Sequence, residues 1–251
     1  MLFLTRFFAG LEVWFQRRTV VLSHPRVPGI AIWLVPVLCG LVSVWLGQDD
    51  NWDLRNYHWY NAYALLNGRL DLDMAPGQWQ SYFNPLIDVP YYLLSTTLPG
   101  PLVGFLMGFV HGLNFVLLLA IARHLLGERA GGARLPLLLA AAGVCGAGFL
   151  SQLGNTMGDN LTALLVLGAL YLVLRGWDDL QRASTRVIGL MLLSGLAMGV
   201  GTGLKLTNAP YAVALCVALL TAPASWRARI TLAAVQGSAV AVGIAAAAGY
   251  W

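Results

Sequence analysis

Apolar residues fall along this chain in long blocks parted by short polar breaks, with no sustained strand-like alternation. A membrane-crossing helix needs about 20 predominantly apolar residues at ~1.5 Å rise each. Blocks approaching that kind occupy residues 29–47, 101–122, 135–151, 158–174, 187–204, 209–222 and 230–251, with a polar break at residues 152–155 between the third and fourth. Residues 85–98 form a shorter stretch carrying Asp88 and Pro90, which suits an interfacial or re-entrant helix better than a crossing. At the front, Leu4, Phe7, Phe8, Leu11, Trp14 and Phe15 keep helical spacing and Arg17 and Arg18 follow. Residues 2–16 are therefore predicted as an amphipathic helix lying on the cytoplasmic surface of a membrane. Arg6 and Glu12 interrupt that stretch, so it does not read as a cleavable signal.

Composition agrees with the pattern. Of 251 residues, 58% are apolar and 10% charged, and the mean hydropathy is +0.69. Soluble domains carry about 25% charged residues, and disordered chains are poor in Leu, Ile, Val and Phe, so both classes are excluded. The formal charge of +4 comes from basic residues too few and too scattered for a nucleic-acid surface. The 28 glycines suit closely packed helices. Cys39, Cys145 and Cys216 each sit in an apolar block without a CxxC or CxxH partner, which predicts small buried hydrophobes rather than a disulfide framework or zinc site.

Charge sets the topology. With seven crossings and a cytoplasmic N-terminus, Arg6, Arg17, Arg18, Arg26, Arg123, Arg129, Arg134, Arg175, Arg182, Arg186, Arg227 and Arg229 all lie inside, leaving Arg55, Arg69 and Lys205 outside. Counting residues 85–98 as a further crossing would move eight of those arginines to the wrong side, so the positive-inside rule favours seven. The same topology gathers Asp49, Asp50, Asp53, Asp71, Asp73, Asp88 and Asp159 on the outer face. The predicted fold is a single all-α integral membrane domain over residues 1–251, with about seven transmembrane helices and a long outer first loop, residues 48–100, containing interfacial helices. The apolar end at Tyr250–Trp251 fits either a complete chain or the front part of a longer membrane protein.

That outer loop is the expected seat of chemistry, since loops of such length in compact proteins are usually functional or disordered. Its ten Trp, Tyr and Phe residues, Trp52, Tyr57, Trp79 and Tyr82 among them, argue for a binding face or an interfacial belt. Asp49, Asp50 or Asn51 offers a helix cap, and Asn67–Gly68 offers a left-handed stop. Between them Asp53 and Tyr57 share a helix face. Asp53 and Asp159 each also fit a plainer role, as an acid at the positive end of a helix dipole or as an N-cap. Lys205 is the one lysine of the chain and lies between two apolar blocks on the acidic side. It reads equally as a lysine reaching the headgroups or pairing with Asp159 or Asp53, and as a point charge for a lipid phosphate. Gly195, Gly199 and Gly203 make a stripe for close helix approach, and His111 and Asn114 suit interhelical hydrogen bonds. Asp49, Asp50 and Asp53 are hard oxygen ligands for a divalent cation, but their spacing is unspecific and no metal site is assigned.

Asp53-Leu-Arg-Asn-Tyr57, followed by Gly68 in Leu-Leu-Asn-Gly-Arg69, resembles the first outer loop of GT-C glycosyltransferases, most closely the protein O-mannosyltransferases and the lipid A aminoarabinose transferases. Tyr82-Phe-Asn-Pro-Leu86 is similar to their aromatic–His–Pro–Pro–Leu element, with Phe83 for the histidine and Asn84 for the first proline. Met157-Gly-Asp-Asn-Leu161 resembles their second acidic loop, and Gly199-Val-Gly-Thr-Gly-Leu-Lys205 their Gly-rich helix ending in lysine. Leu54 stands where the second acid of their pair is usual, and the chain is about half the family length. The resemblance implies a transferase that takes a sugar from a polyprenyl-phosphate donor and passes it to a glycan, lipid or protein acceptor. It further implies a bacterial inner membrane, a periplasmic active face and no required cofactor. Asp53 would be the general base. Asp159 would be a second catalytic carboxylate, orienting donor or acceptor. Lys205, Tyr57, Asp50, Asn84, Tyr82, Trp79 and Arg55 would contact substrate. A non-catalytic scaffold or truncated relative, and a transporter, are the rival readings. The transporter would need paired charges near the midplane or internal repeats, and the sequence has neither.

Overall fold

The computed structural model describes residues 2–70, 72–73, 77–127 and 132–248. Asp71, Arg129 and the end of the last apolar block at Tyr250–Trp251 lie outside the described residues, as do the side chains of Leu4 and Leu11. Among the described residues all regular structure is helical.

Helix α1 (Leu2–Arg18) and a 3-10 turn lead into α2 (Val27–Leu46). The outer loop holds a π-helical turn, Leu54–His58, continuing into α3 (Trp59–Leu66), then 3-10 turns at Gln78–Tyr82 and Pro85–Ile87 and the short α4 (Val89–Thr97). The remainder is α5 (Gly100–Leu126), α6 (Arg134–Val144), α7 (Ala147–Ser151), α8 (Asp159–Gly176) with a 3-10 extension to Arg182, α9 (Thr185–Leu204), α10 (Ala209–Thr221) and α11 (Trp226–Ala248).

Each predicted block contains helix, and among the described residues five helices are long and apolar enough to cross a membrane: α2, α5, α8 with its extension, α9 and α11. The blocks at residues 135–151 and 209–222 fall short for local reasons. The first breaks after the 11-residue α6, because Gly146 is extended and restarts the chain as the five-residue α7. The second, the 13-residue α10, stops where Ala222 precedes Pro223, and the residue before proline is biased away from helix. Exposed Trp33, Trp45, Val213, Val217 and Val242 give the bundle the apolar exterior that lipid requires. Of the cysteines, Cys39 is buried, Cys216 is half-buried, and Cys145, at the α6 break, is exposed instead of buried as expected.

Two glycine stripes set the packing. Gly195, Gly199 and Gly203 seat α9 on α11: a Cβ at Gly199 would lie 2.2 Å from the Val240 carbonyl oxygen and 2.9 Å from the Gly243 Cα. The second stripe, Gly104, Gly108 and Gly112, seats α5 on α2. A Cβ at Gly108 would meet the Cys39 carbonyl oxygen at 2.5 Å, one at Gly112 would meet the Pro36 Cα at 2.6 Å, and the Ser43 hydroxyl donates to the Gly104 carbonyl at 2.7 Å. Because backbone cannot retreat like a flexible side chain, Gly199→Ala is expected to cost about 1–3 kcal/mol, the usual toll of overpacking. Gly168→Ala on α8, where a Cβ meets nothing within 4 Å, should be neutral or slightly stabilising. Thermal unfolding in detergent compares them, and equal shifts would disprove the packing argument.

The short α6–α7 unit has a consequence for the site. The loop after it meets α5 well below that helix's start: the Gly154 amide donates to His111 Nδ1 at 3.1 Å. His111 lies eleven residues into α5, about 16 Å at helical rise. Asn114 Nδ2 donates to the Asn160 carbonyl at 2.7 Å, and Asn160 Nδ2 to the Phe149 carbonyl at 3.0 Å. His111 thus holds loop backbone, and Asn114 makes a hydrogen bond from α5 to the start of α8. The polar loop is recessed between α2 and α5, with the outer loop above it.

Candidate active site

The outer loop is seated by Leu54 and Tyr91, which pack with Val103 of α5 in one buried cluster. Asn51 caps the loop helix, its Oδ1 accepting the Leu54 amide at 2.8 Å. The helix ends as predicted: Gly68 takes φ +63°, and the Arg69 amide reaches back to the Ala64 carbonyl at 2.8 Å. Asp49 does not cap. Its Oδ1 accepts from Asn51 Nδ2 at 2.6 Å, and its Oδ2 accepts the Thr156 amide at 2.8 Å and the Thr156 hydroxyl at 2.7 Å. Asp49 therefore ties the outer loop to the recessed loop.

Asp53 and Tyr57 come together as their spacing implies. Burial, and then the neighbouring Asp53 carboxylate, push the Tyr57 phenol well above its ordinary range. Tyr57 is buried while Asp53 is half-buried, so the carboxylate stays reachable from outside. The wide π turn lets the consecutive side chains of Tyr57 and His58 both turn inward. Trp52 and Phe83 stand edge-on to the Tyr57 ring, at 6.5 and 5.8 Å between centroids.

Lys205 and Asp159 form the second pair. Lys205 Nζ lies 2.8 Å from Asp159 Oδ1 and donates to the Met157 carbonyl at 2.5 Å. Asp159 is the first residue of α8 and makes no cap; Gly158, at φ +82°, precedes it. Asn84 lies close by in the chain's architecture, its Nδ2 donating to the Gly203 carbonyl at 2.8 Å and the Ala247 carbonyl at 2.7 Å, which pins the outer loop onto the ends of α9 and α11.

A pair missed by the sequence reading links the two halves. His58 Nδ1 lies 2.7 Å from Asp88 Oδ1, and both side chains are buried. Burial drives the Asp88 carboxyl upward, and His58 and then Lys205 pull it back. Asp88 also acts electrostatically on Tyr57. The signal was an aspartate inside an otherwise apolar stretch, ahead of Val89–Pro90, yet its partner lies thirty residues away.

The other predicted contacts do not converge. Arg55 and Asp50 pair with each other on the surface, both side chains about two-thirds exposed. Trp79 and Tyr82 are 76% and 64% exposed and point away, although their turn packs on the loop helix through Asn61 Nδ2, which donates to the Gln80 carbonyl at 3.1 Å. Among the described residues no cluster of His, Cys, Asp and Glu has metal-binding geometry.

The arrangement provides a reachable carboxylate, a cation with a carboxylate partner and a buried polar link, under an aromatic loop. Such parts suit moving a proton from a hydroxyl while holding an anion. No curated protein and no solved structure matches the chain. A protein-family model, glycosyltransferase family 87, matches residues 83–251, a stretch that begins after Asp53 and Tyr57 and includes Asn84, Asp88, Asp159 and Lys205. With more than half of its length covered by that model, the chain belongs to glycosyltransferase family 87.

Proposed function

We propose that this glycosyltransferase takes its sugar from a polyprenyl-phosphate donor and passes it to an acceptor hydroxyl on the outer, periplasmic side of a bacterial inner membrane, in the GT-C manner. In this reading α6–α7 and α10 complete seven crossings, α1 lies on the cytoplasmic surface, and no cofactor takes part. The observation that carries it is the gathering of Asp53–Tyr57, His58–Asp88 and Lys205–Asp159 at the end of the bundle where the outer loop, the recessed loop and the ends of α9 and α11 meet.

The chemistry balances without a metal. The Asp53 carboxylate takes the proton of the acceptor hydroxyl as its oxygen attacks the anomeric carbon. The bond from that carbon to the phosphate oxygen breaks, and polyprenyl phosphate leaves with the electron pair. Phosphate is already a good leaving group, so what helps is a fixed positive charge where negative charge develops, the role given to Lys205. Asp159 holds Lys205 in place and orients the sugar.

Binding of the donor lipid tests this directly. Polyprenyl phosphate should raise the unfolding temperature of the wild-type chain in detergent, since a ligand that binds only the folded state stabilises it. Lys205→Ala should weaken the lipid by about 10–100-fold, in line with one charge-assisted hydrogen bond at ~1.5–3 kcal/mol. Lys205→Arg should keep most of the binding. No stabilisation of wild type at saturating lipid would end the polyprenyl-phosphate reading.

A further inference from the structure

Where the outer loop meets the recessed loop and α5 there is a small chamber of about 10 Å³. Asp88 of the outer loop, His111 of α5, and Asn155 and Thr156 of the recessed loop are among its walls, with Met107 and Leu161 on the apolar side. Room of about that size takes a single water, provided that polar partners surround it.

The polar groups of the two loops are engaged. Thr156 gives its amide and hydroxyl to Asp49, and Asn155 Oδ1 accepts the Met157 amide. Asp88 Oδ1 faces His58 Nδ1, and a carboxylate has a second oxygen to accept with. His111 differs. It is 1% exposed, and its Nδ1 accepts the Gly154 amide. A neutral imidazole that accepts at Nδ1 carries its proton on Nε2. His111 Nε2 is thus a donor, and it is buried with no hydrogen-bond partner among the described residues. The Gln152 backbone acts on the ring, yet it does not meet Nε2 in hydrogen-bond geometry. A buried donor left unmatched carries the full cost of its desolvation, and the Asp88 carboxylate shares its chamber.

We propose that the chamber is a site for one structural water, which accepts from His111 Nε2 and donates to the Asp88 carboxylate, so that His111 is a positioning residue for Asp88. A polar chain then runs from His58 in the π turn, through Asp88 and the water, into α5. It joins the outer loop to the bundle and does not depend on which donor or acceptor the protein uses. The other groups acting on Asp88 or standing by it are His58, Lys205, Tyr57 and Tyr91. A water that donates to Asp88 favours the carboxylate, as His58 and Lys205 do. Removing its anchor should therefore raise the pH at which Asp88 ionises.

Solid-state NMR on the full chain in liposomes, with its four histidines nitrogen-labelled, tests the water directly. Magnetisation is passed from water to the ring nitrogens. The His111 signal, identified by its loss in His111→Phe, should show a bare Nδ1 and a protonated Nε2 that receives magnetisation from water. Should that variant fail to fold, His111 is recognised in wild type as the ring whose Nδ1 lies beside a glycine amide. Infrared titration of the Asp88 carboxyl, identified by subtracting Asp88→Asn, tests the positioning role. Its midpoint should rise by about one pH unit in His111→Phe, roughly the worth of one hydrogen bond. His111→Gln, which again offers an N–H, should bring back most of the difference; a side chain that only filled space would be replaced better by Phe than by Gln. No transfer from water to His111 Nε2 would mean that the ring is bonded to the Gln152 backbone instead, and would overturn the proposal. An Asp88 midpoint that is the same in wild type and His111→Phe would overturn the positioning role.

Discussion

Asp53→Asn is expected to lower the transfer rate by about 10²–10⁴-fold, the range that general-base help supplies, while the chain keeps its fold. The substitution preserves the shape of the side chain beside Tyr57. What disappears is the basic site that receives the acceptor's proton. Because Asp53 is half-buried and its neighbours Trp52 and Arg55 are exposed, neither a cavity nor an unpaired buried charge is created, and the unfolding temperature should move little. Donor binding, assigned to Lys205, should also be unchanged. Single-turnover transfer from a radiolabelled polyprenyl-phosphate sugar in proteoliposomes separates chemistry from binding. Transfer within about threefold of wild type would remove Asp53 from the role of base. Tyr57→Phe should be milder, because burial holds the phenol in its protonated form and it supplies no base.

The parts of this site that were legible in the sequence are those set by helical period or by a local backbone need. Asp53 and Tyr57 meet because four residues bring side chains to one face. Gly68 ends α3 because the stop there needs a positive φ, and the stripe at Gly195, Gly199 and Gly203 seats α11 because small residues at that spacing let backbones touch. The Gly104–Gly108–Gly112 stripe has the same period and was equally readable, but the polar His111 and Asn114 drew the reading of that helix to themselves. Hydrophobicity could not reveal the break at Cys145–Gly146, since a kinked pair of short helices is as apolar as one long helix. Nor could it tell where an aromatic side chain points: Trp52 lies edge-on to Tyr57 while Trp79 faces away. Arg55 looked like a substrate contact, yet Asp50 lies five residues back and takes it at the surface. The sequence alone fits Lys205 equally to pairing and to phosphate binding. The structure pairs it with Asp159, a partner that a phosphate would have to share or displace.

His58→Ala should be the most damaging change to the outer loop's stability, costing about 1.5–3 kcal/mol near pH 8, because the buried Asp88 carboxylate loses its hydrogen-bond partner. Asp88→Asn should cost clearly less, since a neutral amide needs no counter-charge and can still donate to His58 Nδ1. The pH dependence separates this from ordinary loss of packing. Burial raises the Asp88 carboxyl above its unfolded value, so the folded state binds this proton more readily than the unfolded chain does. Stability from this group is therefore fully present below the unfolded pKa and is lost as pH rises through the folded one. In wild type the imidazole opposes that loss by favouring the carboxylate. Without it the folded pKa climbs further and the loss deepens, so the His58→Ala defect should be largest at pH 8 and shrink toward pH 4. Asp88→Asn, having no proton to exchange there, should show a flatter profile. Lys205 also acts on this carboxylate, so Lys205→Ala belongs in the series and should show a smaller shift in the same direction. Thermal unfolding of the variants at stepped pH, followed by tryptophan fluorescence, reads all of this. A His58→Ala defect that is the same at pH 4 and pH 8 would mean that His58 only fills space, and that the link between the two halves of the site is not electrostatic.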